Sequence, residues 1–237
     1  MIDVTFDFRS DTPKGKDPDT YSPTLNKYHG MLWSKKLPNG EIMDLKSDKA
    51  PYVLKWKTFC FSSDTIIVEI NNVKNQKIID QVNTIVDDPD AFFENLVRRS
   101  YSIGGMIIFP SHTNSMNQRR GTHPKICDRW DLTLECIRRH YAGEESPLSK
   151  VIESDKPFYD LFIDFKGYVD FFLLQDCVTD DYSKLDIWCG DFSFQKSGLP
   201  ETVEDYFKFL YKEHMFLDKR NKRIQQYCIE NHLLGEA

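Results

Sequence analysis

Arg119, Arg120 and His123 stand in one short polar run, RRGTH, just ahead of a segment with helical periodicity. Two guanidinium groups and an imidazole near a helix start suit phosphate binding or phosphodiester cleavage. The arginines would hold the anion and stabilise developing charge, and His123 would carry a proton. The same run also reads as an ordinary exposed basic loop. Its Arg-to-His spacing is shorter than the helical Arg–His spacing of a common prokaryotic ribonuclease class, which weighs against that class.

The segment that follows, 125–142, reads as a helix. Trp130, Leu134, Ile137 and Tyr141 form one apolar stripe along it. On the opposite side Asp128, Asp131, Glu135, Arg138 and Arg139 fall within about 100° of one another. One reading is a polyanion site. Arg129 and Arg139 would then grip phosphate, while Asp128, Asp131 and Glu135 act as bases or hold a divalent metal. The alternative is a solvated face laced by Glu135–Arg138 and Glu135–Arg139 pairs.

Two more groups qualify. Asp164 and Asp170 sit among aromatic residues in PFYDLFIDFKGYVDFFLLQDCV, residues 157–178. A carboxylate in such surroundings needs a partner or a proton, and an arginine of the 125–142 helix is the expected partner. The pair would be structural, or Asp164 would be a catalytic carboxylate with a raised pKa. The early loop with Arg9, Ser10, Asp11, Asp17, Asp19, Tyr21 and Ser22 reads as a polar lid or as turn chemistry. Gly104–Gly105 is a lone pair and a weak nucleotide signal. No GxSxG, HExxH, P-loop or kinase signature occurs. No cofactor motif is evident.

Residues 3–8 alternate and predict a strand. A helix is expected over 24–34 and a turn at 37–41. Strands at 52–61 and 64–70 would join at Ser62–Ser63. Residues 73–86 have helix-compatible spacing. Asp88 and Pro89 start a helix that runs to about Tyr101, and a buried strand, 106–109, ends at Pro110. Residues 111–124 read as a polar loop and 157–178 as a helix apolar on nearly every side, which belongs in the centre of the fold. An irregular strand over 185–194 and a long amphipathic helix over 200–232 complete the pass.

Hydrophobic residues make up 40% and aromatics 14% of 237 residues, enough for a sizeable core. The pattern is α+β: one domain, 1–237, strand-rich over 1–110 and helix-rich over 111–237. A small mixed or antiparallel sheet would pack on a helical half with a buried central helix. The net charge of −6 argues against a general nucleic-acid coat protein but leaves room for a local basic cleft. Six scattered cysteines without a CxxC pattern read as buried thiols in a reducing compartment. MIDVTFDFRSDT lacks the pattern of a signal peptide, and FFLLQDCV is too short and acidic to span a bilayer. A cytoplasmic location and no membrane partner are expected.

Several long motifs, TFDFRSDT, DPDTYSPTL, LWSKKLPNG, SIGGMIIFP, RGTHPKICDRWDLTLECIRRHY and DFKGYVDFFLLQD, together resemble an uncharacterised bacterial family known only as a domain of unknown function. The likeness spans both ends of the chain and is thin across 47–95. It implies a bacterial cytosolic protein and one full-length unit, and it transfers no catalytic residue.

The functional expectation is an enzyme or effector acting on a nucleotide or nucleic acid, such as a phosphodiester-cleaving toxin or phage-defence factor. Its site would gather Arg119, Arg120, His123, Asp128, Arg129, Asp131, Glu135 and Arg139, backed by Asp164 or Asp170. The competing expectation is a non-enzymatic interaction module. Its surface would be the C-terminal helix, with its aromatic stripe and DKRNKR segment, docking a protein or forming a homo-oligomer.

Overall fold

The sheet is short, and side chains decide where each strand stops. A computed structural model describes residues 2–66, 76–191 and 193–233. Strands β1 (Leu54–Trp56), β2 (Phe59–Thr65) and β3 (Met106–Pro110) pair antiparallel in the order β1-β2-β3. The hairpin turns at Lys57, which takes a left-handed φ of 53°. Ser62 and Ser63 are therefore not a joint: they lie mid-strand opposite Phe109 and Ile108. Residues 67–70 of the expected second strand lie outside the described residues.

Residues 3–8 do not form the expected strand. The Asp3 carboxylate accepts from Thr5 N at 2.8 Å, and that of Asp7 accepts from Arg9 N at 3.0 Å. Such local side-chain bonds compete with a ladder and wind the chain into turns, here a 3-10 turn at Phe8–Asp11.

Helices α1 (Pro18–Tyr21), α2 (Pro23–Trp33), α3 (Gln76–Ile85) and α4 (Pro89–Ser100) precede β3, so the described part of the first half holds more helix than strand. Ser22 caps α2 through Leu25 N at 3.1 Å, and Asp88 caps α4 through Ala91 N at 3.0 Å. After β3 come α5 (Met116–Thr122), α6 (Trp130–Tyr141), α7 (Ser149–Ser154), α8 (Lys156–Tyr159) and α9 (Phe165–Phe171). The long α10 (Val203–Glu230) closes the fold, capped by Thr202 through Asp205 N at 3.0 Å.

Three expectations change here. Residues 111–124 contain α5 rather than only a loop. Residues 125–129 are not helical, because Cys127 and Asp128 take φ values of 51° and 65°. The central aromatic segment is not one helix. Ile163 (φ 69°) and Leu173 (φ 56°) break it, with 3-10 turns at Asp160–Phe162 and Gln175–Cys177. Its short pieces still bury Phe158, Phe162, Tyr168 and Phe172, and the tilted rings of Tyr168 and Phe172 lie 5.0 Å apart. Over 185–194 the described residues show only an isolated bridge, Val178 to Leu185.

One contiguous apolar core joins sheet and helices in a single α+β domain. The outer edge of β3 is closed by α10. Arg220, fully buried, donates to Gly104 O at 2.7 Å and Met106 O at 3.0 Å, and reaches Phe172 O at 3.1 Å. A guanidinium thus satisfies edge carbonyls that water would otherwise need to reach. Burial without a carboxylate brings its pKa down to about 10. Gly105 allows a close approach to the end of α4: a Cβ there would lie 2.1 Å from Ser100 O. No helix among the described residues is long and apolar enough to cross a membrane.

Candidate phosphate-binding cleft

The charged residues around α6 mostly meet each other. Arg120 is fully buried and pairs with Asp64 at 2.8 Å and Asp128 at 2.9 Å. It also donates to Asp128 O at 2.6 Å, which ties the loop before α6 to β2. Burial pushes the Asp64 carboxyl up to about 6 against the pull of Arg120. Arg129 and Asp131 form a second buried pair, with Arg129 Nε 3.0 Å from Asp131 Oδ1. Arg129 also donates to Gly198 O at 2.9 Å and Cys189 O at 2.8 Å, while Asp131 accepts from Trp188 N at 2.9 Å. This pair staples the start of α6 to the 185–199 loop.

Glu135 accepts from Arg138 Nε and Arg139 Nε, both at 2.8 Å. The pairs named as the solvated-face alternative are therefore formed, with Glu135 itself buried. Asp164 lies elsewhere, exposed at the start of α9, and caps that helix through Gly167 N at 2.7 Å. Asp170 bonds Lys166, Tyr182 and Gln175. Neither acid meets an arginine of α6, so the expected ion pair is absent, although α6 and α9 do pack together. The DKRNKR segment also turns inward: Asp218 pairs with Arg99, Asn221 accepts from Gly104 N, and Arg223 pairs with Asp176.

Arg119 and His123 go the other way. Both project from the end of α5 into a cleft of about 730 Å3 whose far wall is the 145–154 segment, with Glu145 and Lys150. A second cleft of about 360 Å3 shares His123 and Glu145 and adds Lys125 and Arg139. Four permanent cations thus face one carboxylate. The Arg119 and Lys150 side chains and the Glu145 carboxylate make no hydrogen bond or ion pair among the described residues, whereas Arg139 pairs with Glu135 and lies over the Phe194 ring. Among the described residues no group of three His, Cys, Asp or Glu side chains could hold a metal ion.

The two histidines of the cleft differ in proton logic. Lys125 N donates to His123 Nδ1 at 3.2 Å, which puts the ring's own proton on Nε2. Burial and the Lys125 charge hold its pKa below the ordinary value. His123 is therefore a neutral N–H donor here rather than the proton carrier its sequence position suggests. His112 has an acceptor at each nitrogen, Thr113 O at 2.9 Å and Asp155 Oδ1 at 2.8 Å. The Thr113 carbonyl first, then Asp155, raise its pKa and favour imidazolium. Sequence reading finds Arg119 and His123 but not His112, Glu145, Lys150 or Asp155. Nothing local marks them: His112 and Asp155 are 43 residues apart.

A second buried network looks like nucleophilic chemistry and is not. His29 Nε2 lies 2.9 Å from Ser63 Oγ, and Ser63 donates to Asp19 at 3.3 Å. Trp33 Nε1 donates to His29 Nδ1 at 3.0 Å, so the His29 proton sits on Nε2 and points at the serine. His29 cannot take the Ser63 proton in that state, and burial lowers its pKa to about 3.

No curated protein and no solved structure matches this chain. A family model, described as a family of unknown function (DUF6994), matches residues 2–224, and the chain belongs to that family.

Proposed function

We propose that the protein binds a nucleotide or a nucleic-acid strand in the joined cleft and cleaves a phosphodiester there. The observation that carries this reading is the excess of cationic and N–H donors over the single unpaired carboxylate, Glu145. Arg119 and Lys150 neutralise non-bridging oxygens, and His123 donates from Nε2. His112, whose contacts with Thr113 O and Asp155 favour its charged form, lines the same cleft. Glu145 is the base that takes the proton of the attacking water; the new P–O bond forms as the P–O bond to the leaving oxygen breaks, and that oxygen takes a proton from solvent. A toxin or defence role is the biological form of this proposal.

The test is a panel of short RNA and DNA oligonucleotides and mononucleotides, assayed for binding and cleavage. Glu145→Gln should abolish turnover while leaving affinity within about twofold, and Arg119→Ala should weaken binding by about tenfold, one close charge contact. No binding of any phosphate-bearing probe by the native chain would end the proposal.

A further inference from the structure

Lys35 follows α2 and carries its ammonium into an aromatic box on the far side of the helical half. Nζ lies 4.5 Å from the ring centroids of Phe171 and Tyr227 and 5.0 Å from that of Trp33. Among the described residues its hydrogen-bond acceptor is Phe171 O, at 2.6 Å. No carboxylate among the described residues pairs with it. Phe171 and Tyr227 are also walls of a cavity of about 620 Å3, completed by Leu37, Pro38, Phe162 and Ile163. That volume suits a small organic ligand.

The same cavity holds a second irregular feature. Ile163 takes a φ of 69° and leaves 64% of its surface exposed at the rim. A β-branched residue in the left-handed region is strained, and such strain collects at ligand sites. An amine with no carboxylate partner among the described residues, apolar walls and a strained apolar rim thus converge on one opening. Lys36, Lys166, Asp164 and Asp170 are the charged groups around it, and Lys166 and Asp170 pair with each other.

We propose that Lys35 is a nucleophilic amine that captures an aldehyde with an aromatic or apolar body as an imine. The Nζ lone pair attacks the carbonyl carbon, forming the C–N bond, and the carbonyl oxygen takes up a proton. The carbinolamine then loses water to leave C=N, with no redox change. Burial and the nearby Arg220 lower the Lys35 pKa to about 7, so the free amine is well populated at neutral pH. The rings position the nitrogen, and the cavity seats the aldehyde's body.

The probe is benzaldehyde with cyanoborohydride at neutral pH, followed by peptide mass analysis of the native chain. The expected result is alkylation of Lys35 at least about tenfold faster than its exposed neighbour Lys36. Formaldehyde run in parallel separates amine reactivity from seating. Fast labelling of Lys35 by formaldehyde but not by benzaldehyde overturns the aromatic-aldehyde assignment. Labelling of Lys35 no faster than Lys36 by either reagent overturns the proposal and makes the ammonium a cap for the carbonyl end of α9. None of these outcomes depends on the phosphate cleft.

Discussion

His29→Gln should make the protein less sensitive to acid. In the native chain His29 is 1% exposed, and burial with the Arg220 charge drives its pKa from an ordinary 6.5 to about 3. Between those values the unfolded chain binds a proton that the folded chain refuses. Stability at this site is therefore intact above about pH 6.5 and falls as pH drops below it. One proton of difference is about 1.4 kcal/mol per pH unit. Allowing for partial titration near 6.5, the loss between about pH 6 and pH 4.5 is about 2 kcal/mol. Glutamine does not titrate, so that increment disappears. The variant should start lower, because either Trp33 Nε1–H or Ser63 loses its partner, a cost of about 1–3 kcal/mol. Urea unfolding of both proteins at the two pH values reads the difference of differences directly. His214, also held low at about 4, remains in both proteins and cancels. Equal acid losses in native and variant chains would refute the assigned tautomer and the buried neutral state together.

Other outcomes follow from the same geometry. Arg129→Met strands the buried Asp131 carboxylate and should cost about 3–5 kcal/mol in urea unfolding, with much of it regained in Arg129→Met/Asp131→Leu. Gly105→Ala puts a Cβ 2.1 Å from Ser100 O and should lower stability by more than about 2 kcal/mol, read from a thermal melt. His112 has a raised pKa, so its contribution is complete below about pH 6.5 and fades as pH rises through the folded value. Melting curves of His112→Gln across that window should be flatter than those of the native chain. Arg119→Ala should reduce the slope of log affinity for single-stranded oligonucleotides against log salt by about 0.7, which anisotropy titrations at several salt concentrations will show.

The parts of the fold legible in advance are those written in adjacent residues. Asp88 with Pro89 marks a helix start because a cap and its N–H lie three positions apart. The MIIFP run reads as a buried strand because every residue in it is apolar. The aromatic segment 157–178 misleads for the converse reason. An all-round apolar composition says buried but not continuous, and only packing sends Ile163 and Leu173 into the left-handed region.

The candidate site divides along the same line. Helical spacing offered the Glu135 pairs with Arg138 and Arg139 as one of two readings, since side chains three and four apart share a face, and the structure forms them. The sequence by itself also determined the α+β class and the core's aromatic content. Tertiary structure decided what the remaining charges do. Arg120 and Asp64 are 56 residues apart, and their pairing removes one arginine of RRGTH from any ligand. Its neighbour Arg119, one position earlier, stays open in the cleft with His123. Successive residues on a helix point about 100° apart, so one turned to the core and one to the solvent, and only the packing of α5 chose which.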